Sequence, residues 1–141
     1  MGSNAEQFAR GLAQEAAKLP VTELVRLHRR IVLEALRLIV DKTPVRRPQL
    51  NADGSPRANQ ILGGRARGGW HVTIGSPATE ETRTEDHISQ ALDALATLQP
   101  YTTVYISNNV FYIIYLEEGS SSQAPQGMVS VSVEELITIF P

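Results

Sequence analysis

Three histidines and three pairs of adjacent glutamates are the residues of this chain best suited to acid–base or metal chemistry. His28, His71 and His87 lie far apart, and no HExxH or comparable ligand spacing links them, so no metal site is expected. Glu80-Glu81, Glu117-Glu118 and Glu134-Glu135 are chain neighbours, and neighbours point in different directions on a helix or strand. General acid–base work needs two groups converging on one pocket, which adjacency does not supply. Solvated faces or subunit salt bridges suit these pairs better. A small hydrolase using His71 or His87 with a glutamate therefore ranks last among three functional readings. Ser120, Ser121 and Ser122 lack a nucleophile-elbow pattern and read as linker. Gly63-Gly64 and Gly68-Gly69 precede a strand, not a helix, which leaves phosphate cradling unsupported. Cysteine is absent, which excludes disulfides, thiolate-held zinc, iron–sulfur clusters and a thiol nucleophile.

The arginines between 45 and 67 are the clearest charge feature. Arg46, Arg47, Arg57, Arg65 and Arg67 face only Asp53 there. One reading is a basic arm for nucleic-acid phosphate or an acidic partner; the other is a solvated loop. No aromatic residue interleaves with these arginines, which argues against base stacking. The compensating acids Glu80, Glu81, Glu85, Asp86 and Asp93 follow downstream. Two zones of opposite sign suit head-to-tail contacts in a ring, and equally an intramolecular contact.

The elements that must position these residues follow from periodicity. Phe8, Leu12, Ala16 and Leu19 predict a helix over 5–19, broken by Pro20. Thr22 is placed to cap a second helix with the stripe Leu24, Leu27, Ile31, Ala35 and Leu38, widened by Val32 and Ile39. Residues 45–69 read as a long loop. Trp70, Val72 and Ile74 alternate as a half-buried strand. Thr84 is placed to cap a third helix carrying Ile88, Ala91, Leu92, Leu95 and Leu98. A strand over 102–107 follows, then an apolar run over 110–116 that periodicity assigns to neither strand nor helix. After a polar loop at 119–127, Met128 to Val133 alternates like a strand, and 134–140 fits a short helix or a strand extension. The order predicts an α+β fold: long N-terminal helices and a further helix packed on a small, mostly antiparallel sheet. The first long helix carries more apolar surface than such a sheet covers, and self-association would bury the rest.

At 141 residues and 15.5 kDa, the chain is expected to be one domain spanning 1–141. A formal net charge of -2 does not support a generally basic nucleic-acid coat protein. No stretch approaches the roughly 20 apolar residues that span a bilayer. Met1 to Arg10 lacks a signal-peptide profile, so a soluble protein made in a cytoplasm is expected, without membrane partners.

Three segments together carry a resemblance to a known protein family. Thr43-Pro44-Val45 followed by Gly64-Arg65-Ala66-Arg67-Gly68-Gly69-Trp70 is similar to a TPV-x-TG-RLR-x-x-W pattern. Val104-Tyr105-Ile106-Ser107-Asn108-Asn109-Val110, then Tyr112-Ile113-Ile114-Tyr115-Leu116-Glu117-Glu118-Gly119, is the second match. Ser122-Gln123-Ala124-Pro125-Gln126-Gly127-Met128-Val129 is the third. In this order, behind a long N-terminal helix, they resemble the neck or tail-completion component of long-tailed phages, also described as a minor tail component. Relatives often pass directly from TPV to TGRLR, whereas this chain inserts Arg47-Pro48 through Leu62-Gly63, a longer arm suited to a neighbouring subunit.

The resemblance implies a non-enzymatic virion protein at the head–tail junction, without cofactor or catalytic residues. It implies a homo-oligomeric ring, often six-fold, that meets a connector or stopper on one side and tail-tube or terminator proteins on the other. The arginines become candidate subunit contacts, or non-specific contacts to DNA in the lumen. Trp70, Tyr112, Tyr115, Glu117, Gly119, Pro125 and Met128 become candidate core or interface positions. The alternative is a small nucleic-acid-binding module acting through the arginine-rich loop.

Overall fold

A computed structural model describes residues 4–45, 49–58 and 63–140. The fold is α+β. In chain order the elements are α1 (Asn4–Ala16), α2 (Val21–Lys42), α3 (Arg65–Gly68), β1 (His71–Ile74), α4 (His87–Leu95), β2 (Val104–Ser107), α5 (Ile113–Glu117) and α6 (Val129–Ile139).

β1 and β2 pair antiparallel, with His71 opposite Ser107 and Ile74 opposite Val104. Alternation sends Val72, Ile74, Val104 and Ile106 into one apolar cluster. α4 covers β1, and α2 packs against both α4 and α6. Val32, Leu36 and Ile39 of α2 meet Trp70, Val72, Ala91, Leu95 and Met128 in the core. α1 lies on α6. Arg29 fastens α2 to α4 by donating from Nε to the Leu95 carbonyl at 3.1 Å, satisfying a carbonyl at the helix end. Lys42 pairs with Glu135 at 2.9 Å and joins α2 to α6.

Several local expectations change. The buried side of α2 is Val32, Leu36, Leu38 and Ile39, while Leu24, Leu27, Ile31 and Ala35 are half-buried. A helix apolar over so much of its circumference does not specify which side faces inward; packing between α4 and α6 decides it. Its N-cap position is Pro20, without a side-chain cap, not Thr22. α4 is capped by Asp86, not Thr84, and the Asp86 carboxylate accepts from the Ser89 amide at 3.0 Å. Of the expected α4 stripe, Ala91 and Leu95 are buried along with Leu98, but Ile88 and Leu92 are exposed. Residues 129–133 are helical, not a strand. Their valine–serine alternation is outweighed by a distant N-terminal cap and by the 132–136 spacing of the buried Ser132 and Leu136. The 110–116 run becomes a turn leading into α5.

The expected long loop also contains structure. Residues 49–57 form a small hairpin with a bridge between Leu50 and Pro56, turning through Gly54 at φ 86°. α3 is a single helical turn entered through Gly64 at φ 97°. Arg46 and Arg47 lie outside the described residues. No helix among those residues is long and apolar enough to cross a membrane.

Candidate functional site

The first resemblance segment is tied together by Thr43. Its hydroxyl, fully buried at the end of α2, donates to the Ile39 carbonyl at 2.7 Å and accepts the Trp70 indole N–H at 2.8 Å. Its carbonyl accepts both Nε and Nη2 of Arg67, at 3.2 and 2.9 Å. Arg67 is thereby an internal strut between α2 and α3. Trp70 is buried in the core, and Gly69 lets Asn108 approach, since a Cβ there would strike Asn108 and Val110. The Asn108 side chain donates to the Ala66 carbonyl at 2.7 Å, joining the first and second segments.

The third segment closes on the second through Glu117. Its carboxylate accepts from the amides of Met128, Val129 and Ser130, at distances down to 2.9 Å, and so caps α6 from a different helix. Gly119 and Gly127 make that approach possible. Both have positive φ, and a Cβ would collide with the Pro125 carbonyl at the first and the Glu117 carbonyl at the second. Met128 is fully buried, while Pro125 is exposed and serves through its backbone. Gln123 reaches 78 residues back and pairs with both backbone groups of Val45, at 3.1 and 2.9 Å.

These connections frame a groove of about 840 Å³ between Pro44-Val45, the start of α3, the 81–83 loop, Phe111-Tyr112 and Gln123. Arg65 crosses its wall. It forms a bidentate pair with Glu81, with Nη2 to Oε1 at 2.7 Å and Nε to Oε2 at 3.0 Å. The hydrogen bonds that Arg65 donates hold the Glu81 carboxyl below the usual carboxylate range, and the same bonds raise the Arg65 guanidinium. The same guanidinium lies 5.3 Å from the Phe111 ring centre and 5.9 Å from that of Tyr112. Aromatic residues thus join the arginine cluster through the fold, although none interleaves with it in sequence. For Arg65, the contact between the two charge zones is intramolecular. Arg57 is engaged locally, donating to the Leu50 carbonyl at 3.2 Å within the 49–57 hairpin.

Beside the groove, α5 and the turn before it present an apolar face to solvent. Phe111 is 74% exposed, Ile114 65% and Tyr115 62%. Their i, i+3, i+4 spacing places them side by side. Tyr112 is half-buried and packs edge-on against Phe111 at 5.0 Å. Such an arrangement offers aromatic and aliphatic surface that a contact could bury.

The residues considered for acid–base chemistry take structural partners. Buried His71 contacts the Thr82 hydroxyl at 2.9 Å and the Gly69 carbonyl at 3.3 Å through Nδ1. Nε2 of His87 contacts the Arg67 carbonyl at 2.9 Å. Among the described residues neither histidine hydrogen-bonds to a carboxylate, and no three His, Asp or Glu side chains are grouped to hold a metal.

Of the groove residues, sequence reasoning did not single out Phe111, while Glu81 and Gln123 entered only as members of the acidic zone and of the third segment. Phe111 lay within an apolar run of unassigned structure, and the partners of Glu81 and Gln123 are set only by tertiary approach. Comparison with protein-family models, curated proteins and solved structures finds no match.

Proposed function

We propose that this chain is a structural subunit of the head–tail junction of a tailed bacteriophage, a neck or tail-completion component. In this reading it is made in the host cytoplasm and assembles as a ring, commonly of six, joining the connector to the tail. It has no enzymatic role. The observation that carries the reading is the exposed apolar face of Phe111, Ile114 and Tyr115, set beside a groove on which all three resemblance segments converge. An apolar face of this kind is the mark of a surface that becomes covered in an assembly.

The nucleic-acid reading draws less support. Arg65 is neutralised by Glu81, and Arg67 is committed to the Thr43 carbonyl. A phosphate would have to compete with both contacts.

Removal of the gene from a producing phage or prophage tests the proposal. Filled heads and free, unjoined tails under the electron microscope are the expected result. Normal joined particles would contradict it.

A further inference from the structure

The two outer edges of the small sheet are finished differently. On β1 the outward-facing backbone groups belong to Val72 and Ile74, and the side chain of Gln90 takes both groups of Val72, which closes that edge to a further strand. The Val72 amide donates to Oε1, and Nε2 donates to the Val72 carbonyl, each at 2.8 Å. That contact fixes the parity of the ladder. His71 with Ser107 and Thr73 with Tyr105 are the hydrogen-bonded pairs, and the bond from the Gly75 amide to the Thr103 carbonyl at 2.8 Å continues the series. Val104 and Ile106 therefore direct their amides and carbonyls away from β1. Among the described residues these groups have no hydrogen-bond partner, and both residues are partly exposed.

Edge strands are ordinarily blunted by charge, proline or a bulge. The stretch Thr102-Thr103-Val104-Tyr105-Ile106-Ser107-Asn108-Asn109 contains no charged residue and no proline. A two-stranded sheet is also short of the three strands that usually give independent stability.

We propose that the free edge of β2 pairs antiparallel with β2 of a second copy of this chain, giving a continuous four-stranded sheet about a two-fold axis at Tyr105. A second copy fits because, of the two-fold registers open to this edge, the one centred on Tyr105 engages all the free amides and carbonyls of Val104 and Ile106 with one another. Val104 and Ile106 must supply the hydrogen bonds, so each faces the other residue type across the axis. Tyr105 then faces Tyr105 of the second copy as a non-hydrogen-bonded pair, where side chains lie closest. The cross-strand pairs are valine with isoleucine on the core face and tyrosine with tyrosine on the other. No like charges oppose each other. The inference does not rest on the head–tail reading: a two-fold contact is isologous, so it describes the chain free of a ring whose two faces meet different partners.

The chain has no cysteine, so single-cysteine variants report the contact directly. Cα atoms of a non-hydrogen-bonded pair, about 4.5 Å apart, are within disulfide range. Tyr105→Cys is expected to give a disulfide-linked dimer of twice the 15.5 kDa chain mass on mild oxidation. Thr103→Cys, displaced from the axis, is expected to stay monomeric. Equal cross-linking of both variants, or of neither, would overturn the proposal. Wild-type chain gives a readout independent of any folding defect. Amide exchange at Val104 and Ile106 should slow as protein concentration rises, while the amide of Tyr105, already bonded to β1, should change less. Exchange at Val104 and Ile106 that is indifferent to concentration overturns the proposal equally.

Discussion

Thr43 and Trp70, 27 residues apart, share one buried hydrogen bond of 2.8 Å from the indole N–H to the hydroxyl. The same hydroxyl spends its proton on Ile39. One side chain thus ends α2, fixes the core tryptophan and, through its carbonyl, holds Arg67. Thr43→Val keeps the shape but strands a buried indole N–H, and is expected to cost about 1–3 kcal/mol in urea denaturation. Thr43→Ser keeps the hydroxyl and should lose only about 1 kcal/mol for the buried methyl. Equal losses for the two would mean the bond carries no stability of its own.

Glu117 predicts a second asymmetry. Its carboxylate is the cap of α6, although it belongs to α5. Glu117→Ala is expected to destabilise by about 1–3 kcal/mol by orphaning amide donors at the helix start. Gly119→Ala and Gly127→Ala should each cost more than about 1 kcal/mol, because positive φ and a backbone collision act together. Thermal denaturation checks all three, and helical circular dichroism should fall most for Glu117→Ala.

The sequence made this core partly legible. Trp70 and Val72 announced a strand by alternation, and Ala91, Leu95 and Leu98 a helix face by spacing; all are buried. Segment 129–133 was misleading, because valine–serine alternation is local, whereas the Glu117 cap comes from 12 residues upstream of Val129. The inward side of α2 was hidden for a different reason. Its wheel is apolar on more than one side, so Leu36 was chosen by its neighbours rather than by its own spacing. In the candidate site, Tyr112 and Tyr115 were visible as residues, but the partial burial of Tyr112 and the exposure of Tyr115 depend on the short helix between turn and loop.

Acid should weaken the fold in two stages. Burial lowers the pKa of His28, so the folded chain resists a proton that the unfolded chain accepts. The stability this group contributes is present above its ordinary value of about 6.5 and declines as pH falls from there toward the lowered folded value. Asp86, held low mainly by the Ser89 amide, and Glu81, held low by the Arg65 hydrogen bond, act further down. Their contribution is present above about pH 4 and is lost as pH falls through their depressed folded values. Urea titrations from pH 7 to 3 should show a shallower upper slope in His28→Gln and a shallower lower slope in Asp86→Asn. Parallel curves for wild type and both variants would refute the assignment.

The exposed face around α5 gives the prediction closest to function. Phe111, Ile114 and Tyr115 bury little within the chain, so removing their apolar surface should leave the fold intact. Ile114→Asp combined with Tyr115→Asp is expected to change stability by no more than about 1 kcal/mol, since exposed positions contribute little. If this face docks against a connector or tail protein, the same double substitution places two unpaired charges in a contact that excludes water, and joining of heads to tails should fail. Leu92→Asp is the matched control, because Leu92 is an apolar residue 51% exposed on a different helix, α4. It should leave particle assembly unchanged. Counting joined particles by electron microscopy after complementation with each variant checks the prediction. Wild-type numbers of joined particles with the double variant would remove α5 as the docking face, whereas equal loss with Leu92→Asp would point to a general effect of surface charge.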